Sequence, residues 1–158
     1  MRKAQSETLY SDAVEAEASG NTEKAIEEYR EALKLDPTSA LLAYRLAMLL
    51  DKKGDAVSER AVLEQAVSNN PRMAVAYNQI GYLAFSGGDN KTAIQEFMRA
   101  VQIDPGYTKA WMNLAAAYCV ESEFGKAREA VGHVLEIDPS DPRARELAAR
   151  LEPVGTQR

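Results

Sequence analysis

The spacing of the prolines constrains the fold of this 158-residue chain more than any other feature. Four of the six prolines follow one another at intervals of 34 residues, each directly after an acid or its amide. The pairs are Asp36-Pro37, Asn70-Pro71, Asp104-Pro105 and Asp138-Pro139. Proline cannot donate a backbone hydrogen bond and disfavours helical geometry at the residue before it. The pairs therefore predict periodic helix ends, and a period of this length indicates a repeat array.

Between these stops, apolar residues recur three and four positions apart, as they do on one face of an α-helix. In residues 74–107, a first predicted helix has small and apolar residues on one face, at Tyr77, Ile80, Gly81 and Ala84. Gly87-Gly88-Asp89 then supplies a glycine that ends a helix and an acid that caps the next one. A second predicted helix runs on to Asp104-Pro105. The sequence thus predicts one helical hairpin in each period.

These hairpins resemble the tetratricopeptide repeat (TPR) family, whose signature runs Trp-x2-Leu-Gly-x2-Tyr, then Ala-x3-Phe, then Pro. The fourth unit matches from Trp111 to Tyr118, with Ala115 where glycine is usual. The third unit reads Tyr77-x2-Ile80-Gly81-x2-Ala84, then Ala93-x3-Phe97 and Pro105. The first unit has Ala25-x3-Tyr29 and Pro37, and the second has Gly54-Asp55, Leu63 and Pro71. Four units in strict register cover residues 6–139.

The resemblance implies an all-α fold, a right-handed superhelical solenoid of four helix-turn-helix hairpins plus a C-terminal capping helix. The units would span 6–39, 40–73, 74–107 and 108–141, after a lead-in of residues 1–5. Residues 142–152 have apolar side chains on one face and arginines on the other, which is typical of a helix that covers the end of a repeat stack. Residues 153–158 lack this pattern, and we expect them to be a frayed tail.

Three positions depart from the pattern. Asp12 occupies a slot that is apolar in the other units. A polar residue there is expected in an outermost hairpin, and it would also be found if an upstream repeat were missing. Glu59 stands where the other units have alanine, so we expect looser packing in the second hairpin. Ser122-Glu123 replaces the turn that pairs glycine with Asn or Asp elsewhere.

Composition excludes several classes of protein. With 24 acidic and 19 basic residues, the formal net charge is −5, which argues against a general nucleic-acid-binding protein. A single cysteine excludes an internal disulfide framework and a cysteine zinc cluster. No apolar run approaches the roughly 20 residues of a membrane span, and no signal region follows the first residues. These features favour a cytoplasmic location without direct membrane insertion.

No group of residues predicts catalysis, a cofactor site or a metal site. His133 lies in a slot that is polar in all four units and is predicted to be a surface residue. Cys119 has no histidine near it in sequence, and we expect it to be half-buried and structural. Gly87-Gly88 is preceded by no strand and followed by no Gly-Lys-Ser/Thr, which indicates a turn and not a phosphate loop. The sequence therefore predicts a protein that is not an enzyme.

The resemblance also implies where a ligand would bind, because in this family the first helix of each hairpin lines a concave face that holds extended or helical peptides. Carried over slot by slot, the partner-binding groove comprises Tyr10, Leu41, Tyr44, Met48, Val75, Asn78, Tyr82, Phe85, Lys109, Met112 and Asn113. Aromatic and Met side chains on an exposed face are typical of partner sites. The alternative is that some of them pack between neighbouring first helices.

The resemblance raises a second mode of binding, in which related domains hold chaperone tails with a clamp of Lys, Asn, Asn, Lys and Arg. In either register the first Lys-Asn pair falls on unsuitable residues, Tyr10 and Val14 or Tyr44 and Met48. In the later register Lys109 fits the final pair, but Asn113 replaces its arginine. The sequence therefore does not predict a chaperone-binding clamp.

The main functional prediction is a non-catalytic scaffold or adaptor that binds a peptide or protein segment of unknown identity. A first alternative is the TPR portion of a larger protein, either the recruiting arm of an enzyme or a bacterial envelope assembly factor. A second is a self-associating module. Residues 6–39 hold nine acids and three bases while residues 142–158 hold four bases and two acids, so copies could form a weak head-to-tail homo-oligomer.

Overall fold

The computed structural model describes residues 1–152 of the chain. Over those residues the protein consists of α-helices joined by short turns, without a strand. The helices are α1 (Arg2–Ala18), α2 (Thr22–Leu35), α3 (Ala40–Lys53), α4 (Ala56–Asn69), α5 (Ala74–Ser86), α6 (Asn90–Ile103), α7 (Thr108–Val120), α8 (Phe124–Ile137) and α9 (Pro142–Leu151). The predicted all-α fold class is confirmed. The tail expected at 153–158 lies outside the described residues.

The Asp-Pro and Asn-Pro pairs end helices as predicted. The helices α2, α4, α6 and α8 each stop at the residue immediately before the pair. In every case the acid or amide is the C-cap residue, and its N–H donates to the carbonyl oxygen four residues earlier, at 3.0 Å from Asp36 to Ala32. The following proline has no N–H with which to continue the helix. By contrast, α1 begins at Arg2, so the segment set apart as a lead-in is already helical.

The turn inside each hairpin has one residue in the left-handed region, and these residues also recur every 34 positions. They are Gly20 at φ +77°, Gly54 at +77°, Gly88 at +82° and Ser122 at +60°. After the three glycines, the side chains of Asn21, Asp55 and Asp89 accept a hydrogen bond from the backbone N–H three residues on. Glu123, which follows Ser122, makes no such capping bond. The fourth turn therefore lacks both the glycine and the capping hydrogen bond that stabilise the other three turns.

The chain divides into two compact units, and the division falls within α5, after Ala76. In unit 1, the side chains of Tyr29, Leu46, Leu50 and Leu63 are buried between the helices. In unit 2, the core is formed by Phe97, Leu114, Val131 and Val134. The last helix, α9, buries Ala144 and packs Leu147, Ala148 and Leu151 against that core.

Small residues bring the two helices of a hairpin close together. Ala13, Ala47 and Ala115 are fully buried, and the equivalent residue of the third hairpin is Gly81. A Cβ added at Gly81 would lie 2.7 Å from two ring carbons of Phe97, a distance at which the ring would have to move. Glu59 is also buried, at the slot where its counterparts are alanines.

Candidate functional site

The predicted groove residues of unit 1 lie on the first helices α1 and α3 and at the start of α5. Leu41 is 51% exposed and Met48 39%, while Tyr10, Tyr44 and Val75 are half-buried. The side chains of Tyr10 and Leu41 help to line one cavity of about 210 Å³ between α1 and the start of α3. The two helices therefore present apolar groups to solvent on a shared surface.

Tyr44 and Met48 line a second cavity of unit 1, of about 510 Å³, whose walls also carry charge. Glu17 reaches it from α1, and Arg45 lies beside it on α3, with 3.9 Å between the carboxylate and the guanidinium. The Glu17 carboxylate also accepts a hydrogen bond of 2.8 Å from the hydroxyl of Tyr29. The surface thus offers an aromatic ring and a thioether beside fixed charges.

Unit 2 has a similar set of residues on its own first helices, α5 and α7. Tyr82 is 49% exposed, and Lys109 is also exposed. Phe85 and Met112 are half-buried and pack against the core of the unit. Part of each side chain therefore packs against the core of unit 2, and the remainder stays accessible.

Asn78 differs from the other predicted groove residues because its side chain is fully buried. Its Oδ1 accepts a hydrogen bond of 2.9 Å from Nδ2 of Asn113, which links α5 to α7. Asn113 itself is half-buried. In this structure Asn78 therefore positions Asn113, and Asn113 is the member of the pair that reaches the surface.

His133 and Cys119 are placed much as the sequence predicts. His133 is a surface residue, but its ring stacks on the indole of Trp111 with 4.2 Å between the ring centroids, a contact that the sequence did not predict. Cys119 is half-buried, and burial raises the pKa of its thiol, which disfavours the reactive thiolate. Neither residue is part of a nucleophile–base pair in the contacts found within residues 1–152.

Within residues 1–152, no three His, Cys, Asp or Glu side chains are grouped so that they could hold a metal ion. None of the helices in that range combines the length and the apolar character needed to cross a bilayer. In each unit the first helices carry apolar and aromatic side chains that are exposed or half-buried, and α7 of unit 2 also carries the half-buried amide of Asn113.

Three family models match the chain. A model described as tetratricopeptide repeat matches residues 84–151, one described as TPR repeat matches 18–54, and another tetratricopeptide repeat model matches 58–108. The matches overlap or lie close together, and between them they reach from residue 18 to residue 151.

Curated relatives match this chain over part of their own length. The small glutamine-rich tetratricopeptide repeat-containing protein 2 of Mycosarcoma maydis is 27% identical over 114 residues, which are 72% of this chain and 32% of that protein. The probable UDP-N-acetylglucosamine–peptide N-acetylglucosaminyltransferase SPINDLY of Hordeum vulgare is 31% identical over 128 residues, 77% of this chain and 14% of that protein. The chain therefore spans a third or less of the length of these two relatives.

Solved structures show the same fold. A crystal structure of MamA protein superposes with a TM-score of 0.81 at 23% identity, covering 93% of this chain and 80% of MamA. The first TPR of Spaghetti (RPAP3), bound to the HSP90 peptide SRMEEVD, has a TM-score of 0.66 at 20% identity and covers 71% of this chain and 89% of that one. At these identities the likeness concerns the fold alone.

Proposed function

Because this chain belongs to the tetratricopeptide repeat family, we propose that it is a non-catalytic scaffold that binds a peptide or protein segment through the first helices of its hairpins. The observation that carries the proposal is the exposure of Leu41, Met48 and Tyr82 on those helices. Large apolar side chains that keep about two fifths to half of their surface in solvent supply contact area for a partner.

The neighbouring polar groups support a peptide ligand in particular. Asn113, which Asn78 holds in place, offers amide groups for hydrogen bonds to a peptide main chain. Glu17 and Arg45 lie beside Tyr44 and provide charges of both signs. A site that combines apolar anchors with a few fixed polar groups is typical of segment recognition.

The proposal can be tested by crosslinking capture from a lysate of the native host, followed by mass spectrometry. We expect a Met48→Ala, Tyr82→Ala double variant to capture the partner proteins of the wild type in amounts lower by about fivefold or more. The matched control is Val57→Ala with Met98→Ala, because these exposed apolar residues lie on the second helices α4 and α6. Equal loss in both variants, or in neither, would contradict binding through the first helices.

A second candidate function is a recruiting arm within a larger enzyme. The similarity to the SPINDLY protein, of which the chain matches only 14%, favours it. In that case the same first helices would select the substrate for a catalytic domain outside these residues. The native reading frame on either side of this sequence distinguishes the two candidates, since an adjoining catalytic domain would support the second.

A further inference from the structure

Each unit has a cavity between its second helices, which we call the outer cavity. In unit 1 it lies between α2 and α4 and measures about 490 Å³, and in unit 2 it lies between α6 and α8 and measures about 290 Å³. Their walls use equivalent slots two 34-residue periods apart, among them Leu33 and Val101, Leu46 and Leu114, and Gln65 and His133. The same place in the repeat is therefore filled differently in the two units.

In unit 2 the aromatic side chain of Trp111 lines the cavity and reduces its volume. The indole stacks on the ring of His133 at 4.2 Å between centroids, with an angle of 26° between the ring planes. Its Nε1–H donates to the carbonyl oxygen of Pro105 at 2.9 Å. The space between the loop that contains Pro105 and the helix that contains His133 thus holds an indole of the chain itself.

Unit 1 has no counterpart of this indole, because Ala43 occupies the slot of Trp111. The two residues equivalent to its partners, Pro37 and Gln65, nevertheless both line the outer cavity. The amide of Asn69 donates to the Pro37 carbonyl oxygen at 3.1 Å. Asn69 therefore makes a hydrogen bond to the Pro37 carbonyl oxygen as the indole does to that of Pro105, and no aromatic side chain of residues 1–152 lines the outer cavity of unit 1.

The walls of this open volume combine apolar groups with positive charge. Leu33, Val62 and Ala66 supply apolar surface from α2 and α4. The two charged residues that line it, Arg30 and Lys34, are both basic, and the Lys34 ammonium also pairs with the Glu31 carboxylate at 2.5 Å. An aromatic group would fit the apolar walls, and an adjoining carboxylate would complement Arg30 and compete with Glu31 for Lys34.

We propose that the outer cavity of unit 1 is a docking site for an aromatic side chain of a partner polypeptide, with acidic residues next to that aromatic group. The partner would supply the ring that unit 2 supplies from its own sequence. This site lies on the second helices, so it is separate from the first-helix binding proposed above and does not depend on it.

The test uses short capped peptides and the whole ¹⁵N-labelled chain, observed by backbone amide chemical shifts. The probe is acetyl-Glu-Trp-Glu-amide, and its controls replace Trp by Leu or by Ala, or both Glu by Lys. We expect saturable shifts in residues around the outer cavity of unit 1 with the Trp probe, at about millimolar affinity. The Leu and Ala peptides should bind about fivefold or more weakly, and the Lys peptide about threefold more weakly.

Two variants and a matched control locate the site. Ala61 is exposed and lines the cavity, so Ala61→Phe should fill it and weaken the Trp probe about fivefold or more. Lys34→Glu, a change at an exposed side chain, should weaken the same probe about threefold. Glu129→Phe, at the slot of Ala61 in unit 2, should leave binding unchanged.

Three results would overturn the proposal. The first is equal binding of the Leu and Trp peptides, which would mean that no aromatic group is selected. The second is a set of shifts centred on unit 2 or on the first helices. The third is the absence of saturable shifts at about 10 mM probe, well above the expected affinity range.

Discussion

The second hairpin of unit 1 and the first hairpin of unit 2 differ in the residues that meet where their two helices pack together. At the slot where the two helices of a hairpin meet, unit 1 has Ala47 and unit 2 has Gly81. At the facing slot of the second helix, unit 1 has Leu63 and unit 2 has Phe97. In unit 2 the larger side chain, Phe97, thus lies opposite the smaller residue, Gly81.

This difference shows which property the repeat preserves. The helix ends and the left-handed turn residues recur at the same slots in both units. The side chains between them vary in size from hairpin to hairpin: Leu63 accompanies Ala47, Phe97 accompanies Gly81, and in the first hairpin Tyr29 accompanies Ala13. Close-packed interiors contain few voids and tolerate little overlap, so each pair limits which substitutions its own hairpin can accept. Exchanging residues between the two units measures how strongly each position depends on its neighbour.

The largest effect is expected for Gly81→Ala, which gives unit 2 the small residue of unit 1. The new Cβ would lie 2.7 Å from the Cδ1 and Cε1 atoms of Phe97, and the buried ring must shift to admit it. We expect the free energy of unfolding to fall by about 2 kcal/mol, the cost of overpacking less the gain in helix propensity. Urea unfolding followed by circular dichroism measures this change.

The double variant Gly81→Ala, Phe97→Leu reproduces the pair found in unit 1 and serves as the control. Its destabilisation should be smaller than the sum of the two single changes by about 1 kcal/mol, because the smaller side chain makes room for the new methyl group. Additive effects, or a neutral Gly81→Ala variant, would show that the ring does not limit this position.

The second exchange is Tyr29→Phe, since Phe97 occupies the slot of Tyr29 two periods later. The Tyr29 hydroxyl donates to Glu17 at 2.8 Å, and its loss should cost about 1 kcal/mol at neutral pH. Burial, followed by the hydrogen bond to Glu17, raises the pKa of Tyr29 in the folded protein. The unfolded chain ionises this group near pH 10, so wild-type stability should decline as pH rises above about 10.

The loss of stability at high pH, compared between the wild type and Tyr29→Phe, shows how much of it is due to Tyr29 and how much to other tyrosines. Burial also raises the pKa of Tyr118 in unit 2, so part of the decline should persist in Tyr29→Phe. We expect the variant to lose less stability than the wild type between pH 8 and about pH 11, as measured by urea unfolding at each pH. The same loss in both proteins would mean that Tyr29 releases its proton equally readily in the folded and unfolded chains.

The features predicted correctly from the sequence are those set by local chemistry. The Asp-Pro and Asn-Pro pairs end helices because proline acts on its immediate neighbours. The glycines at 20, 54 and 88 take left-handed turns for a similarly local reason. The start of α1 at Arg2 was not predicted, because residues 1–5 lie before the first full repeat and carry no residue that stops a helix.

Parts of the candidate site depend on packing between helices and could not be predicted. Asn78 and Asn113 are 35 residues apart, and their hydrogen bond depends on how α5 and α7 pack. The stack of His133 on Trp111 likewise joins two helices, α8 and α7. The sequence shows only that the slot of His133 is polar in every unit, which does not identify a partner. A repeat pattern identifies which side of a helix is apolar but does not show which polar residues meet across an interface.

The smallest effect is expected at the turns, where unit 1 has Gly54 and unit 2 has Ser122, both in the left-handed region. Serine is strained there by its Cβ, whereas glycine is not but loses more entropy on folding. We expect Ser122→Gly to raise the free energy of unfolding by about 0.5 kcal/mol and the reverse exchange, Gly54→Ser, to lower it by about 1 kcal/mol.

The two turn variants together separate backbone strain from packing. A Cβ at Gly54 would have no atom within 4 Å outside its own neighbours, so a cost there can come only from the backbone conformation. Thermal unfolding of both variants gives the comparison. If Gly54→Ser is destabilising but Ser122→Gly is neutral, the lower φ of Ser122, +60° against +77°, already relieves its strain. If neither variant changes stability, the identity of the left-handed residue does not affect the stability of these two turns.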